Sequence, residues 1–492
     1  MEPLIYKTES SFYLYSGKHN KSILLHPCLA DIIRREEGLP GVNRGPAGNF
    51  SKEERNYYDK KYRFLKENGY FDRINQRERI KGRYTGEAIE NRLYNNNNLV
   101  FEVTNCCNLE CSYCIYGDLY RGFAQRKNEH LSMAKAKTLF DYMVEKWNSP
   151  KNRFYNKEIR IGFYGGESLL NFPFIKEMVR YARNTQLEGH HFTFGLTTNG
   201  TLLDKHMEYL AENRFHILVS LDGDEKSNGF RVFQDGRPIY KKVFDNIEKL
   251  RRRFPGYFEQ YVNFNTVLHR LNSIQGIYDF FKTNYNKIPH ITEVSLTNVK
   301  NDKKEVVNKL YRGIDDSLKQ AKNRKELQND LDTGLPVQSQ LSRLIYRYSG
   351  DIYKKIEDLL PGCTKSTIPT ASCVPLKRRV FLTVDGNILP CERVSHRHIM
   401  GRVTEDKVDI DFDKIAEKYN RYFDLLEEQC RECCGIDSCF ICVLKLENPG
   451  KEKQCPYMMP QRILEHYLSE TLSFIEENPG NYKKVIEEIF VE

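Results

Sequence analysis

Residues 98–117 read Asn98-Leu-Val-Phe-Glu-Val-Thr-Asn-Cys-Cys-Asn-Leu-Glu-Cys-Ser-Tyr-Cys-Ile-Tyr-Gly117, a short apolar strand running into a loop. The loop presents Cys107, Cys111 and Cys114 as C-x3-C-x2-C, with Tyr113 just before the last thiol. Three thiolates this close together suit three irons of a four-iron cluster and leave the fourth iron open to a small molecule. A zinc loop, or three ordinary buried cysteines, is the competing reading. Zinc usually takes a fourth Cys or His at short range, and none follows Cys114 within a dozen residues. Cys106 is a spare thiol beside the trio.

Downstream of this loop, strand and helix patterns alternate. The spacing predicts strands at 99–103, 159–164, 192–197, 215–221, 261–267 and 291–298, with helices near 132–147, 172–184, 204–213, 240–253 and 273–284. In the first helix Ser132 is the expected cap, and Met133, Ala136, Leu139, Phe140, Met143 and Trp147 share a face. Short apolar strands alternating with amphipathic helices imply an α/β fold with a parallel sheet and right-handed crossovers. The visible units are too few for a closed eight-stranded barrel, so the expected core over 98–300 is a partial (β/α)6 TIM-like barrel. Ligands bind such sheets at the carboxyl ends of the strands, and the polar clusters sit there. The second strand runs into Tyr164-Gly165-Gly166-Glu167-Ser168, the third ends Thr197-Thr198-Asn199-Gly200, and the fourth Ser220-Leu221-Asp222-Gly223. Each also reads as turn and cap chemistry. Asn265 and Thr266 end the fifth strand, and His216 and His269 read as structural.

The C-x3-C-x2-C loop with its aromatic residue, followed about fifty residues later by Gly165-Gly166-Glu167 after a strand, resembles the radical S-adenosylmethionine (radical SAM) enzymes. The resemblance implies a [4Fe-4S] cluster on Cys107, Cys111 and Cys114, with Tyr113 beside it. S-adenosylmethionine would chelate the free iron through its amino acid part. It also implies that Gly165, Gly166 and Glu167 contact the cofactor's amino group and that Ser220 meets its carboxylate. Asn199 would lie on the cofactor or substrate rim, and Arg231 would be a candidate carboxylate clamp.

Cysteines return as Cys363, Cys373 and Cys391, then Cys430-x2-Cys433-x5-Cys439-x2-Cys442-x12-Cys455. Val380, Leu382 and Val384 alternate before an Asp385-Gly386 turn, a hairpin closed at Pro390-Cys391. Eight thiols on small turns suit two four-iron clusters or two zinc ions, and spacing does not separate the metals. The field resembles the SPASM extension of radical SAM enzymes that modify peptides and proteins. On that pattern Cys363, Cys373, Cys391 and Cys442 hold one auxiliary cluster, and Cys430, Cys433, Cys439 and Cys455 the other. This chain departs from it in having two residues, not three, between Cys439 and Cys442, and in an extra thiol at Cys434. In the sulfatase-maturing relatives an acidic residue follows the corresponding cysteine, which makes Glu392 a candidate base; a surface carboxylate is the alternative.

The N-terminal 97 residues are of another kind. Phe12 and Leu14, a Ser16-Gly17 turn, and Ile23 and Leu25 predict a hairpin ended by Pro27. Helical spacing follows at Leu29, Ile32 and Ile33, and again from the expected cap Ser51 to Gly69, with a second extended piece at Tyr70-Phe71. This suggests a small winged-helix unit, with 72–97 as a linker. It reads as a DNA reader or as a peptide clamp that adds a segment to its sheet edge. Glu53, Glu54, Asp59 and Glu67 in the second helix suit a phosphate-facing element poorly. Beside a radical SAM core, it resembles the leader-peptide recognition domain of peptide maturases. Residues 301–360 read as bridging helices, 361–460 as the SPASM-like unit and 461–492 as closing helices.

The chain has 492 residues, enough for several domains, and 40% apolar content, as in soluble proteins. No apolar run approaches the ~20 residues of a membrane span, and the first residues carry neither a basic nor an apolar signal region, so a cytoplasmic protein without a membrane partner is expected. In a reducing compartment fourteen cysteines point to metal rather than disulfides. The net charge of +9 is spread among interleaved acids and bases, which argues against a nucleic-acid partner. The expected activity is a peptide maturase: an oxidoreductase that cleaves S-adenosylmethionine and uses the 5'-deoxyadenosyl radical to form a thioether or carbon-carbon crosslink in a ribosomally made (RiPP) precursor peptide. A flavodoxin or ferredoxin would be its electron donor. The rivals are an anaerobic sulfatase-maturing enzyme and a winged-helix, zinc-binding DNA protein.

Overall fold

The computed structural model describes residues 3–38, 49–73, 80–123, 126–153, 158–324, 368–370, 372–436, 439, 441–446, 455 and 458–488, with isolated positions between 327 and 348. Cys363 and most of the expected bridging helices lie outside the described residues.

The N-terminal unit is an antiparallel sheet ordered β1 (Leu4–Lys7), β2 (Phe12–Ser16), β3 (Lys21–Leu25), followed by α1 (Pro27–Glu37) and α2 (Lys52–Glu67). The hairpin lies where the alternation put it, and Ser51 with Glu54 forms a reciprocal capping box at the start of α2. The third strand is β1, however, not Tyr70-Phe71. Ile5 enters the small core under α1 and α2, while Leu4 and Tyr6 join Leu464 and Leu468 of the C-terminal helix 461–477. Both faces of β1 are thus buried, so it lacks the alternation that reveals a half-exposed strand. Tyr70 and Phe71 instead pack in a turn on the small core, with Tyr70 stacked 4.1 Å from His19.

The expected linker 72–97 also contains a helix, α3 (Gly86–Tyr94). Thr85 caps it by accepting from the Ala88 N–H, and Ile89 and Leu93 are fully buried. The preceding residues dock on the long helix 412–432: Tyr84 and Asn420 exchange two hydrogen bonds, and Arg83 pairs with Asp424 and Glu427.

The core follows the alternation. Strands β4 (Asn98–Thr104), β5 (Glu158–Gly165), β6 (His191–Thr198), β7 (His216–Ser220), β8 (Val262–Leu268) and β9 (His290–Glu293) are parallel and neighbour one another in chain order. Between them come α4 (Met133–Trp147), α5 (Phe172–Arg183), α6 (Leu203–Glu212), α7 (Tyr240–Arg253), α8 (Pro255–Tyr261) and α9 (Ile274–Tyr285). Leu99, Phe101 and Val103 enter the helix-covered core, so Val100, Glu102 and Thr104 face the barrel interior. The last strand stops at Glu293, short of the 298 expected.

The C-terminal hairpin is not a separate sheet. Strand β10 (Val380–Leu382) pairs in parallel with β4, and β11 (Asn387–Leu389), β12 (Gly401–Val403) and β13 (Val408–Asp409) extend the sheet to ten strands. This join carries Cys391 and Glu392 to the barrel.

Candidate functional site

The cysteine loop is held from three sides. Below it, Gly165 and Gly166 end β5 so close to the loop that a Cβ on Gly166 would lie 2.2 Å from the Cys106 carbonyl oxygen. The Gly166 and Glu167 N–H groups donate to the Thr104 and Cys106 carbonyls. A Gly166→Ala variant is expected to push this backbone off its place and to lose most of its iron after anaerobic reconstitution; iron content matching the parent would refute the packing role. On the second side, the Asn199 amide donates to Asn108 Oδ1 at 2.9 Å and points toward Cys107 Sγ at 4.0 Å, while Asn108 donates to Thr201.

On the third side stands Arg126. Its Nη2 lies 3.2 Å from Cys114 Sγ, and its Nη1 donates to the Leu109 carbonyl at 2.6 Å. The sequence reading passed over this arginine, which sits twelve residues past Cys114 with no motif around it. Burial pushes the Cys107 thiol up to about 11 and the Cys111 thiol to about 12; Cys114 adds repulsion at both, and Cys107 adds it at Cys111. Cationic irons would reverse that field and deprotonate the thiols. Among the described residues no three His, Cys, Asp or Glu side chains gather as they would around a single metal ion. Three mutually felt thiols with N–H donors aimed at two of the sulfurs fit the corners of a cluster better than the shell of one ion.

Asp222 is the pivot on the far side. It is fully buried and takes Nε and Nη2 of Arg231 at 2.8 and 3.0 Å, the Val267 N–H at 2.9 Å and the Tyr113 hydroxyl, with His269 Nε2 at 3.4 Å. Burial opposes its charge, but Arg231 and His269 hold the carboxyl far below the usual range. Arg231, expected as a candidate carboxylate clamp, spends two nitrogens of its fork on Asp222, and its guanidinium lies over the Tyr113 ring. Tyr113 is thereby fixed beside Cys111 and Cys114.

Glu167 is buried and accepts from the Leu169 N–H, the Thr198 hydroxyl and the Asn199 N–H, tying the ends of β5 and β6 together. Burial raises its pKa despite these bonds. Ser220 ends β7 on the same rim, its backbone in register with Asn265 of β8. Thr266 is turned to the Leu221 carbonyl.

In the C-terminal field, mutual charge effects sort the described thiols into two groups. Cys391 feels Cys442, Cys442 feels Cys373, and the buried Tyr419 hydroxyl feels all three; Cys430 is pushed up by burial, then by Cys439, Cys433 and Cys455. Cys434 stands apart, buried among Leu4, Tyr6, Tyr15 and Leu464.

Glu392 does not fit the role of base. Burial raises its pKa, but Arg379, with Arg393 at 3.8 Å, outweighs that and holds it lowered. A carboxylate held ionised by an arginine is a weak proton acceptor.

Residues 101–282 match the family model of the radical SAM superfamily. The chain carries a radical SAM domain. The chain is 28% identical over 205 residues to the radical SAM cyclopropyl synthase TigE of Paramaledivibacter caminithermalis, a match covering 40% of this chain and 39% of that protein. It is 27% identical over 188 residues to a cysteine-type anaerobic sulfatase-maturating enzyme of Clostridium novyi, covering 37% and 47%. The chain therefore spans less than half the length of these curated relatives. Among solved structures, native anSMEcpe with bound AdoMet and Kp18Cys peptide superposes with a TM-score of 0.52 at 18% identity, over 80% of this chain and 99% of that one, a likeness of fold. No helix among the described residues is long and apolar enough to cross a membrane.

Proposed function

We propose that this protein is a radical SAM/SPASM maturase that removes two hydrogens from a ribosomally made precursor peptide, closing a thioether or carbon-carbon crosslink. Cys107, Cys111 and Cys114 would hold the [4Fe-4S] cluster, which when reduced supplies the electron that splits S-adenosylmethionine into methionine and a 5'-deoxyadenosyl radical. Tyr113, Gly165, Gly166, Glu167, Asn199 and Ser220 would shape the cofactor's seat. Asp222 and Arg231 would set the position of Tyr113. The two C-terminal thiol groups would carry auxiliary clusters, with Cys363 completing the first.

One observation carries the peptide reading: the N-terminal sheet is covered along β1 by helix 461–477, with Ser469 and Glu476 bonded to Lys7, Ser10 and Tyr13, while β3 is an edge with no strand paired to it among the described residues and with Leu24 exposed. An extended leader would add to that edge as a fourth strand. A Leu24→Asp variant is expected to weaken binding of the precursor about tenfold or more, measured by fluorescence anisotropy; unchanged affinity would count against the edge.

The sulfatase-maturing reading draws on the similarity to the Clostridium novyi protein. Coexpression with the short peptide reading frames encoded nearby, followed by mass spectrometry, separates the two. Loss of two hydrogens within a peptide carrying a leader supports the maturase, whereas formylglycine made in a sulfatase-derived peptide, with no change in the others, replaces it.

A further inference from the structure

Glu102 is the one carboxylate on the inward face of β4, two residues before the strand ends and directly beside Tyr164 of β5 in the register. It is completely buried. One of its oxygens accepts from the Val384 N–H at 3.0 Å, in the turn that joins β10 to β11. The other, Oε1, is buried with no bond of ordinary hydrogen-bond geometry among the described residues; its neighbour is the Tyr116 hydroxyl, which is likewise without one and acts on it as a weak donor. A buried carboxylate oxygen without a partner costs free energy that a fold rarely leaves uncompensated. The groups facing it are Tyr116 from the cysteine loop, Tyr164 from β5 and Asp385 from the β10–β11 turn; no lysine or arginine is among them. Its setting is the reverse of that of Glu392.

We propose that Glu102 is the proton acceptor of the barrel interior, the group that takes the proton released when the peptide is oxidised. The inference rests on the maturase reading above. The balance is simple: of the two hydrogens the peptide loses, one leaves as an atom to the 5'-deoxyadenosyl carbon. The other leaves as a proton to Glu102 Oε1 and an electron to an iron–sulfur acceptor. Burial raises the Glu102 carboxyl to about 7, with Val384 and Tyr116 opposing and Asp385 reinforcing the rise. It is therefore poised to accept and release a proton near neutral pH. The Val384 N–H fixes one oxygen and leaves the other beside the Tyr116 hydroxyl, through which a proton can reach it.

The test uses the full-length, anaerobically reconstituted protein with dithionite, S-adenosylmethionine and the precursor peptide found by coexpression, following both 5'-deoxyadenosine and the peptide lighter by two hydrogens. Glutamine keeps the shape and the bond to Val384. In Glu102→Gln the ratio of crosslinked peptide to 5'-deoxyadenosine is expected to fall about 100-fold, and Glu102→Asp to recover part of it. The ascending limb of product formation near pH 7 should vanish in the glutamine variant. A ratio within twofold of the parent, or parallel losses of 5'-deoxyadenosine and product, would overturn the assignment and leave the maturase standing. Parent protein that releases 5'-deoxyadenosine but never alters a peptide would overturn both.

Discussion

Cys111→Ala is expected to abolish release of 5'-deoxyadenosine from S-adenosylmethionine, with iron and sulfide lost in parallel. At Cys111, burial and the repulsion of Cys114 and Cys107 raise the thiol, and only Arg231 opposes them. Alanine leaves two cysteines, and the corner that Cys111 vacates has no substitute, since the spare thiol of Cys106 sits five positions earlier in the chain, its carbonyl accepting the Glu167 N–H. Cys106→Ala should keep its iron and its turnover. If Cys111→Ala still gave 5'-deoxyadenosine at the parental rate, the C-x3-C-x2-C loop would not be the cofactor site.

The second large effect is expected at Asp222. Removing it leaves the Arg231 guanidinium as an unpaired charge in a buried site and strips partners from Tyr113 and the Val267 N–H. Breaking one side of a buried ion pair costs about 3–5 kcal/mol, a large share of the roughly 5–15 kcal/mol that a domain has. Asp222→Ala should therefore give a protein with a sharply lowered melting temperature and poor iron incorporation. The pair also has a pH signature. The folded carboxyl is depressed, so its contribution is present above the ordinary aspartate pKa of about 4 and is lost only as pH falls toward the depressed folded value. In acid, the parent and Asp222→Ala should converge in stability; a gap that persisted at low pH would refute the pair as its source. A melting temperature equal to the parent's at neutral pH would do the same.

Much of the barrel was legible because parallel strands buried on both faces read as apolar runs and their helices as apolar stripes. The first five strands and the helix of Met133–Trp147 lie within a residue or so of where those patterns put them, and the sixth begins there but ends early at Glu293. Strand β1 and helix α3 were not legible. The first is buried on one side by α1 and α2 and on the other by helix 461–477 from the far end of the chain, and the second is a short helix whose Ile89 and Leu93 gain their burial from α4 and the long helix 412–432. Among site residues, the cysteines announced themselves by spacing. Arg126 and Asp222 did not, because one is a lone arginine and the other resembled a turn residue after a strand.

The amino-acid order by itself determined the thiol trio, the glycine pair and the strand–helix alternation, since each depends on residues close together in the chain. Only the tertiary structure decided which charges stand free. Glu392 and Glu102 look alike as letters, yet folding sets Arg379 against the first, whereas one oxygen of the second meets only the Tyr116 hydroxyl among the described residues. A carboxylate's basicity depends on the charges and hydrogen bonds that reach it through space, and those come from strands far apart in the chain.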